Sequence, residues 1–392
     1  MQMTSGSAGG HRSELAFDSG FLDYDFGPQH PLRPERITAG LELLEHIGLW
    51  DSRRSAGPVV SALDEEIFLI HDMAYVDAVR RAGSEWFPRG ELARFGLTQA
   101  DNPAFPGMHE AASLVAGGTV SIVRRILNGE LNHGFNPAGG LHHALRSRAS
   151  GFCIYNDPAL AAAVAARQFD ARVLYVDVDC HHGDGVQWLF YDDSAVLTVS
   201  LHESGRYLFP GTGEVDEVGS GDGTGFAVNV PMAPFTQDDD WLIALREVVL
   251  PLAKRFRPDL LISAHGADTH IWDPLTHLSL TSHAFVEQAK FLHELAHEHT
   301  KGRWLAVGSG GYDWRRVVPR SWAILWAEMT GQDLPVRLPS AWIQRWQEHD
   351  GDAIPATMLD DESLRHPVVR AAEVNSANRR TLQRVLETHD IR

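Results

Sequence analysis

Two rhythms alternate along most of this chain. Segments with apolar residues three and four apart, such as NDPALAAAVAARQF and DDDWLIALREVVLPLAKRF, lead into short, nearly continuous apolar runs, and each run ends in a loop rich in Gly, His or Asp. The first rhythm predicts amphipathic helices and the second predicts strands buried on both faces. Asp157 is a candidate N-cap with Pro158 at the first helical position, and the strand Val173 to Asp179 follows. AVLTVSLH predicts a neighbouring strand, and DLLISA and WLAVGS close two further helix-to-strand units. Strands without a polar face, separated by helices, imply an α/β fold with a parallel sheet covered on both sides. Ligands then collect at the carboxyl ends of the strands, which is where the unusual residues lie.

No internal repeat, low-complexity tract or Gly/Ser linker interrupts the pattern between Phe17 and Leu338, so residues 17–338 read as one domain. Residues 1–16, polar and without an apolar core, are expected to be a disordered leader, and residues 339–392 a mostly helical appendage. The composition, 44% hydrophobic and 22% charged over 392 residues, is that of an ordinary globular protein. A formal charge of -18 argues against nucleic-acid or anionic-membrane binding and suits a cationic substrate. No run is long enough to span a bilayer, and Cys153 and Cys180 are too few for a disulfide framework, so a reducing cytoplasm is the expected location.

The stretch VLYVDVDCHHGDG changes the picture. On an extended strand Asp177, Asp179 and His181 share one face. Unpaired, such groups would each cost several kcal/mol in a sheet. A salt-bridged strand end is the bland explanation, but no Lys or Arg occurs between Val173 and Arg206. A divalent metal answers the problem better. Asp268 in SAHGADTH, also just past a buried strand, is the best further ligand, giving an open site of Asp179, His181 and Asp268. Two carboxylates make the set harder than the usual zinc site, so iron(II) stays open beside zinc. His142 and His143 in AGGLHHA are adjacent histidines that would often be a solvated loop; Asp177 and Asp184 stand ready to fix their tautomers and make proton-transfer dyads. Tyr312 in GSGGYD sits on a loop flexible enough to reach a cleft, although a lone Tyr after glycines commonly just packs. With 21 histidines in the chain, most are structural.

GGLHHA, ASGFCIYND, YVDVDCHHGDG, LHESGRYLFPGTG, HGAD and GSGGYD, in this order, resemble the zinc-dependent histone deacetylase family, and YDFGPQHPLRPERI with DNPAFPGMHE resembles its bacterial acetoin-utilisation branch. The similarity covers roughly residues 20 to 335. It implies the arginase/deacetylase fold, a central parallel sheet of about eight strands flanked by helices on both faces. It also implies hydrolysis of an N-acetyl amide, on lysine. On the family pattern, Asp179, His181 and Asp268 fall on the zinc ligands, His142 with Asp177 and His143 with Asp184 on the dyads, and Tyr312 on the oxyanion donor. The resemblance further places Gly151, Phe152 and Phe209 along an apolar tunnel, Asp101 at its rim and Leu275 on its wall. A potassium ion is implied around Asp177, Asp179, His181, Ser200 and Leu201. The bacterial branch implies an acetylated protein partner, with an acyl-CoA synthetase as a plausible target; it says nothing of oligomeric state.

There are departures from the pattern. His265 stands in HGAD where many relatives have Cys, and reads as a histidine packed behind the metal rather than on it. GRYLFPG carries one residue more than the eukaryotic pattern, leaving open whether Leu208 or Phe209 faces the tunnel. A dinuclear manganese ureohydrolase would need an Asp-x-Asp near Asp268, and GADTH supplies one Asp. An acetylpolyamine amidohydrolase would use the same machinery on a small amine. A silent acetyl-lysine binding module would be expected to lose Tyr312 or a ligand, and none is lost.

Overall fold

The computed structural model describes residues 12–51, 58–84, 89–97, 101–348 and 351–391. Its core is a sheet of seven parallel strands: β1 (Ser13–Leu15), β2 (His133–Asn136), β3 (Val173–Asp177), β4 (Val196–Glu203), β5 (Ala227–Met232), β6 (Leu260–Ala264) and β7 (Trp304–Val307). They lie in the order β1-β2-β7-β6-β3-β4-β5. From β2 to β7 every strand residue is buried, which is the physical reason these sequences show no polar face. The principal helices are α1 (Glu35–His46), α2 (Met108–Leu127), α3 (Asp157–Phe169), α4 (Asp238–Phe256), α5 (Ser282–His299), α6 (Val318–Thr330) and α7 (Ala371–Thr388). Helices α2 and α3 pack together against β2, β3, β6 and β7, while α4 packs on β3 and β4 and α6 packs on β2, α5 and α1. Among the described residues no helix is long and apolar enough to cross a membrane.

Among the described residues the sheet has seven strands, close to the eight or so expected. Elsewhere the structure departs from the sequence reading in informative places. Residues 13–15, inside the segment expected to be a disordered leader, form β1, pairing Ser13 with His133 and Leu15 with Phe135; Leu15 is buried, and the strand is too short to register as an apolar run. Residues 1–11 of that leader lie outside the described residues. The cap of α3 is Asn156, whose side chain accepts from Ala159 N, and not Asp157. Asp157 is buried among backbone donors instead.

The C-terminal segment packs on the body of the fold. Trp342 is buried and donates Nε1–H to Ala39 O at 3.0 Å. Asp360 is clamped by Arg320 Nη1 at 2.8 Å, His270 Nε2 at 2.9 Å and Ser282 N at 2.7 Å. Helix α7 buries Leu382 and Val385 and lies against β5, where Asn378 Oδ1 accepts from Ala233 N at 2.9 Å.

Candidate active site

Strands β2, β7, β6 and β3 are consecutive neighbours in the sheet, so the loops leaving their carboxyl ends meet over one patch. Those loops carry His142 and His143, Tyr312, Asp268, and Asp179 with His181 respectively. Four segments far apart in sequence are thereby brought to one place by strand order alone.

Strand β3 ends at Asp177, earlier than its apolar run suggests, so alternation does not aim the next groups. Successive turns do it instead: Asp177 Oδ1 accepts from Asp179 N at 3.1 Å, and Asp179 Oδ1 accepts from His181 N at 2.8 Å. Asp179 Oδ2 also receives Ser309 Oγ at 2.8 Å and Gly310 N at 2.7 Å, while Asp268 Oδ1 receives Cys180 N at 3.0 Å. Gly310 is required for this approach, because a Cβ there would sit 2.3 Å from Asp268 Oδ2. The inward atoms converge: His181 Nδ1 lies 3.1 Å from Asp179 Oδ1 and 2.9 Å from Asp268 Oδ2. One ligand atom from each of the three residues falls within 4.8 Å of the others. Burial, and then the charge of Asp179, pushes Asp268 up to about 6; Asp179 is held well below the usual carboxylate range by His142 and His181 against its own burial. Two buried carboxylates facing one imidazole, with their outer oxygens already held by N–H and O–H donors, fit a divalent cation: it removes the repulsion and uses the remaining lone pairs.

Beside this trio stand the histidines. His142 Nδ1 meets Asp177 Oδ2 at 2.7 Å, His143 Nδ1 meets Asp184 Oδ1 at 2.6 Å, and the two Nε2 atoms are 3.1 Å apart. The environments push the two rings in opposite directions. Burial would lower His142, but Asp177 and Asp179 overcome it and raise it to about 9. Burial, followed by the neighbouring His142 and His181, lowers His143 well below the ordinary imidazole range. These directions favour charge on His142 and a neutral ring at His143, whose Nδ1 faces Asp184; burial raises the Asp184 carboxyl in turn, to about 7.

Tyr312 hangs from its backbone: its N–H donates to Asp273 Oδ2 at 2.8 Å, and Asp273 Oδ1 accepts from Leu275 N at 3.0 Å. Its ring meets Phe152 edge-on at 5.8 Å and His181 at 6.4 Å. Burial, then Asp268 and Asp179, keep the phenol well above its usual range, so it stays a proton donor. Opposite, the Phe209 ring lies 5.0 Å from His143 and 6.4 Å from His181, whereas Leu208 packs into the core; Phe209 is the residue that faces the site. Gly151 joins the walls. Its φ is +50°, and a Cβ would come within 2.4 Å of His143 Cδ2 and 2.8 Å of Phe209 Cε1. Asp101 is exposed, its carbonyl 3.1 Å from His30 Nε2, and the His30 ring lies 4.5 Å from Phe152. Leu275, expected on the tunnel wall, is 37% exposed. Ser200 pairs in register with Asp177, and Leu201 follows it, buried, along β4. His265 stays outside the cluster of metal-ligand atoms: its Nε2 bonds Ser263 Oγ at 2.8 Å, and burial lowers it to about 3.

Several contributors escaped the sequence reading. Asp157 accepts from Gly140 N, Leu141 N at 2.8 Å and Thr119 Oγ1 at 2.7 Å, pinning the loop that delivers His142 and His143. Arg36 of α1 is buried, with Nη1 donating to Ser309 O at 2.7 Å; burial lowers its pKa, while Tyr312, Asp179 and Asp268 pull it back. Asp273 fixes Tyr312 and Leu275 together. Arg36 and Asp157 lie inside YDFGPQHPLRPERI and ASGFCIYND, and Asp273 lies a few residues after HGAD, but nothing in those stretches says what each will touch.

Residues 30–329 match the model of the histone deacetylase domain. The chain is 44% identical to the acetoin utilization protein AcuC of Bacillus subtilis over 374 residues, covering 95% of this chain and 96% of that one. It is 35% identical to the AcuC protein of Staphylococcus xylosus over 387 residues, covering 98% of each. Among solved structures it is similar to an HDAC homologue from Aquifex aeolicus, with a TM-score of 0.82, 29% identity and coverage of 95% of this chain and 100% of that one. A second structure, an HDAC homologue complexed with SAHA, matches with a TM-score of 0.83, 30% identity and coverage of 95% and 99%.

Proposed function

The chain belongs to the histone deacetylase family, on the acetoin-utilisation side of it, and from that premise we propose that it is a metal-dependent lysine deacetylase acting on acetylated protein. The observation that carries this reading is the meeting of Asp179, His181 and Asp268 with a neutral His143 and a protonated Tyr312 at one end of the sheet. Zinc, or iron(II), held by Asp179 Oδ, His181 Nδ1 and Asp268 Oδ would supply a Lewis acid and a source of acidified water. The rest of the reaction belongs to the side chains. His143 Nε2 takes the proton of the attacking water and afterwards returns it to the departing lysine amine. His142, kept cationic by Asp177, lies next to it and stabilises the negative charge that builds on the acetyl oxygen. Tyr312 donates its O–H to that oxygen. Phe152, Phe209 and Gly151 line an apolar passage that suits the lysine methylenes, and Asp101 at the rim suits the substrate backbone.

Potassium is proposed at the strand ends around Asp177, Asp179, His181, Ser200 and Leu201. An acyl-CoA synthetase is proposed as the acetylated protein, as the resemblance to the acetoin-utilisation branch implies. The test is acetate release from an acetyl-lysine peptide by metal-depleted protein, before and after adding zinc or iron(II). Release that depends on metal and disappears in Asp268→Asn is expected. Turnover of an acetylated polyamine with none of the peptide would overturn the protein-substrate reading. A complex of SAHA with an HDAC homologue of this fold makes SAHA a direct competitor to try in the same assay.

A further inference from the structure

We propose that the chain carries a second transition-metal site, built from His133, His293 and His297 at the amino end of the sheet. His133 opens β2, on the side of the sheet opposite to the loops that hold Asp179 and Asp268. His293 and His297 lie one turn apart on α5, so they share a face. Their Nε2 atoms gather: His133 Nε2 is 3.2 Å from His297 Nε2, which is 3.1 Å from His293 Nε2. Three ligands about 2.05 Å from a tetrahedral zinc ion would stand about 3.3 Å apart. The rings do not stack on one another. The pairs are inclined at 90°, 86° and 63°, so edges and not faces point to the common centre.

The outer nitrogens decide what the inner ones present. His133 Nδ1 lies 2.6 Å from Met329 O, a carbonyl that can only accept, so Nδ1 carries a proton and Nε2, in the neutral ring, offers a lone pair. His293 Nδ1 lies 2.7 Å from Glu328 Oε1, a carboxylate, with the same result. Both of these nitrogens are aimed at His297 Nε2. Three ligand atoms so gathered suit a divalent cation between them. Backbone carbonyl and carboxylate partners on the far nitrogen are what zinc-ligating histidines use to fix their orientation. The sequence spacing agrees: His293-Glu294-Leu295-Ala296-His297 places two histidines on a helix as zinc-binding helices do, and here the third comes from a strand 164 residues before His297.

Access and chemistry favour a soft-to-borderline divalent ion. His133 is fully buried, with Trp304 stacked on His293 at 5.8 Å, while His297 is exposed, so the ion enters from the side of α5. An all-imidazole set suits zinc, copper(II) or nickel(II), unlike the carboxylate-rich site at the other end. Bound there, the ion would tie the start of β2 to α5 and to the last turn of α6.

The experiment is zinc stoichiometry of the untagged full-length chain by equilibrium dialysis and elemental analysis, with the thermal midpoint followed in parallel. The parent should hold two zinc ions, His297→Gln one, Asp268→Asn one, and the double variant none. His297→Gln should keep its deacetylase activity and lose the part of the zinc-dependent rise in midpoint that Asp268→Asn retains. His297 is exposed, so its replacement leaves the core intact. Should Asp268→Asn fail to fold, the comparison of parent with His297→Gln still decides. Equal zinc in those two proteins overturns the proposal and assigns the cluster to a shared proton; loss of zinc only in Asp268→Asn does the same while leaving the deacetylase reading intact.

Discussion

The two ends of the sheet gather ligand atoms by opposite means. At the carboxyl end, Asp179 and Asp268 bring charge, and backbone N–H groups hold their outer oxygens; burial there leaves an excess of negative potential. At the amino end, three imidazole rings bring their Nε2 atoms together, and a carbonyl and a carboxylate hold the outer nitrogens of His133 and His293. On the proposed function the first arrangement would polarise a substrate, with a donor and a base alongside. The second has neither and serves cohesion. Charge excess with an adjacent base marks chemistry; lone pairs with packed surroundings mark structure.

The sharpest way to break this contrast is Asp268→Asn. At the carboxyl end it should abolish turnover, at least about a thousandfold, by removing several kcal/mol of charge stabilisation, while the amino-end zinc stays. Steady-state kinetics with metal analysis checks both; loss of both ions would show that the ends are coupled. Tyr312→Phe comes next. It should cost about 10²–10³ in kcat with zinc content unchanged, and an unchanged kcat would remove the hydroxyl from the reaction.

Asp360→Asn tests a place that belongs to neither end. It leaves Arg320 buried without its counter-charge and should lower unfolding stability by about 3 kcal/mol, read from denaturant midpoints. Burial would raise this carboxyl, but the hydrogen bond from His270 and the guanidinium of Arg320 hold it well below the usual range. Its folded pKa therefore lies under the unfolded value of about 3.9, so the folded state binds fewer protons. The contribution is present above pH about 4 and fades as pH falls below it. The parent should lose stability there more steeply than Asp360→Asn. The smallest effect on catalysis belongs to His297→Gln, whose kcat/KM should match the parent.

What could be read in advance follows the same physics. Strands β3, β4, β6 and β7 announced themselves because burial on both faces demands apolar runs, and the acids at their ends stood out against that background. Strands β1 and β2, reading SEL and HGFN, are too short and too polar to do so. Asp179, His181 and Asp268 were legible because each sits within a few residues of a strand end. The partners of Arg36, Asp157 and Asp360 were not, because Ser309, Gly140 and Arg320 come close only through folding. The pair His293 and His297 is visible as a helical spacing, but nothing near His133 in sequence says which helix it will face.

The outermost strands bear on how the chain survives its own synthesis. One edge of the sheet is β1, three residues from near the beginning of the chain, and the other is β5, against which α7 at the far end is laid. An uncovered strand edge is a template for a neighbouring polypeptide. The β1 edge is brief enough to offer little. The β5 edge is longer, and its cover follows late: Asn378 of α7, which meets Ala233 just past β5, lies 145 residues further on, so a nascent molecule carries one open seam until α7 has been made.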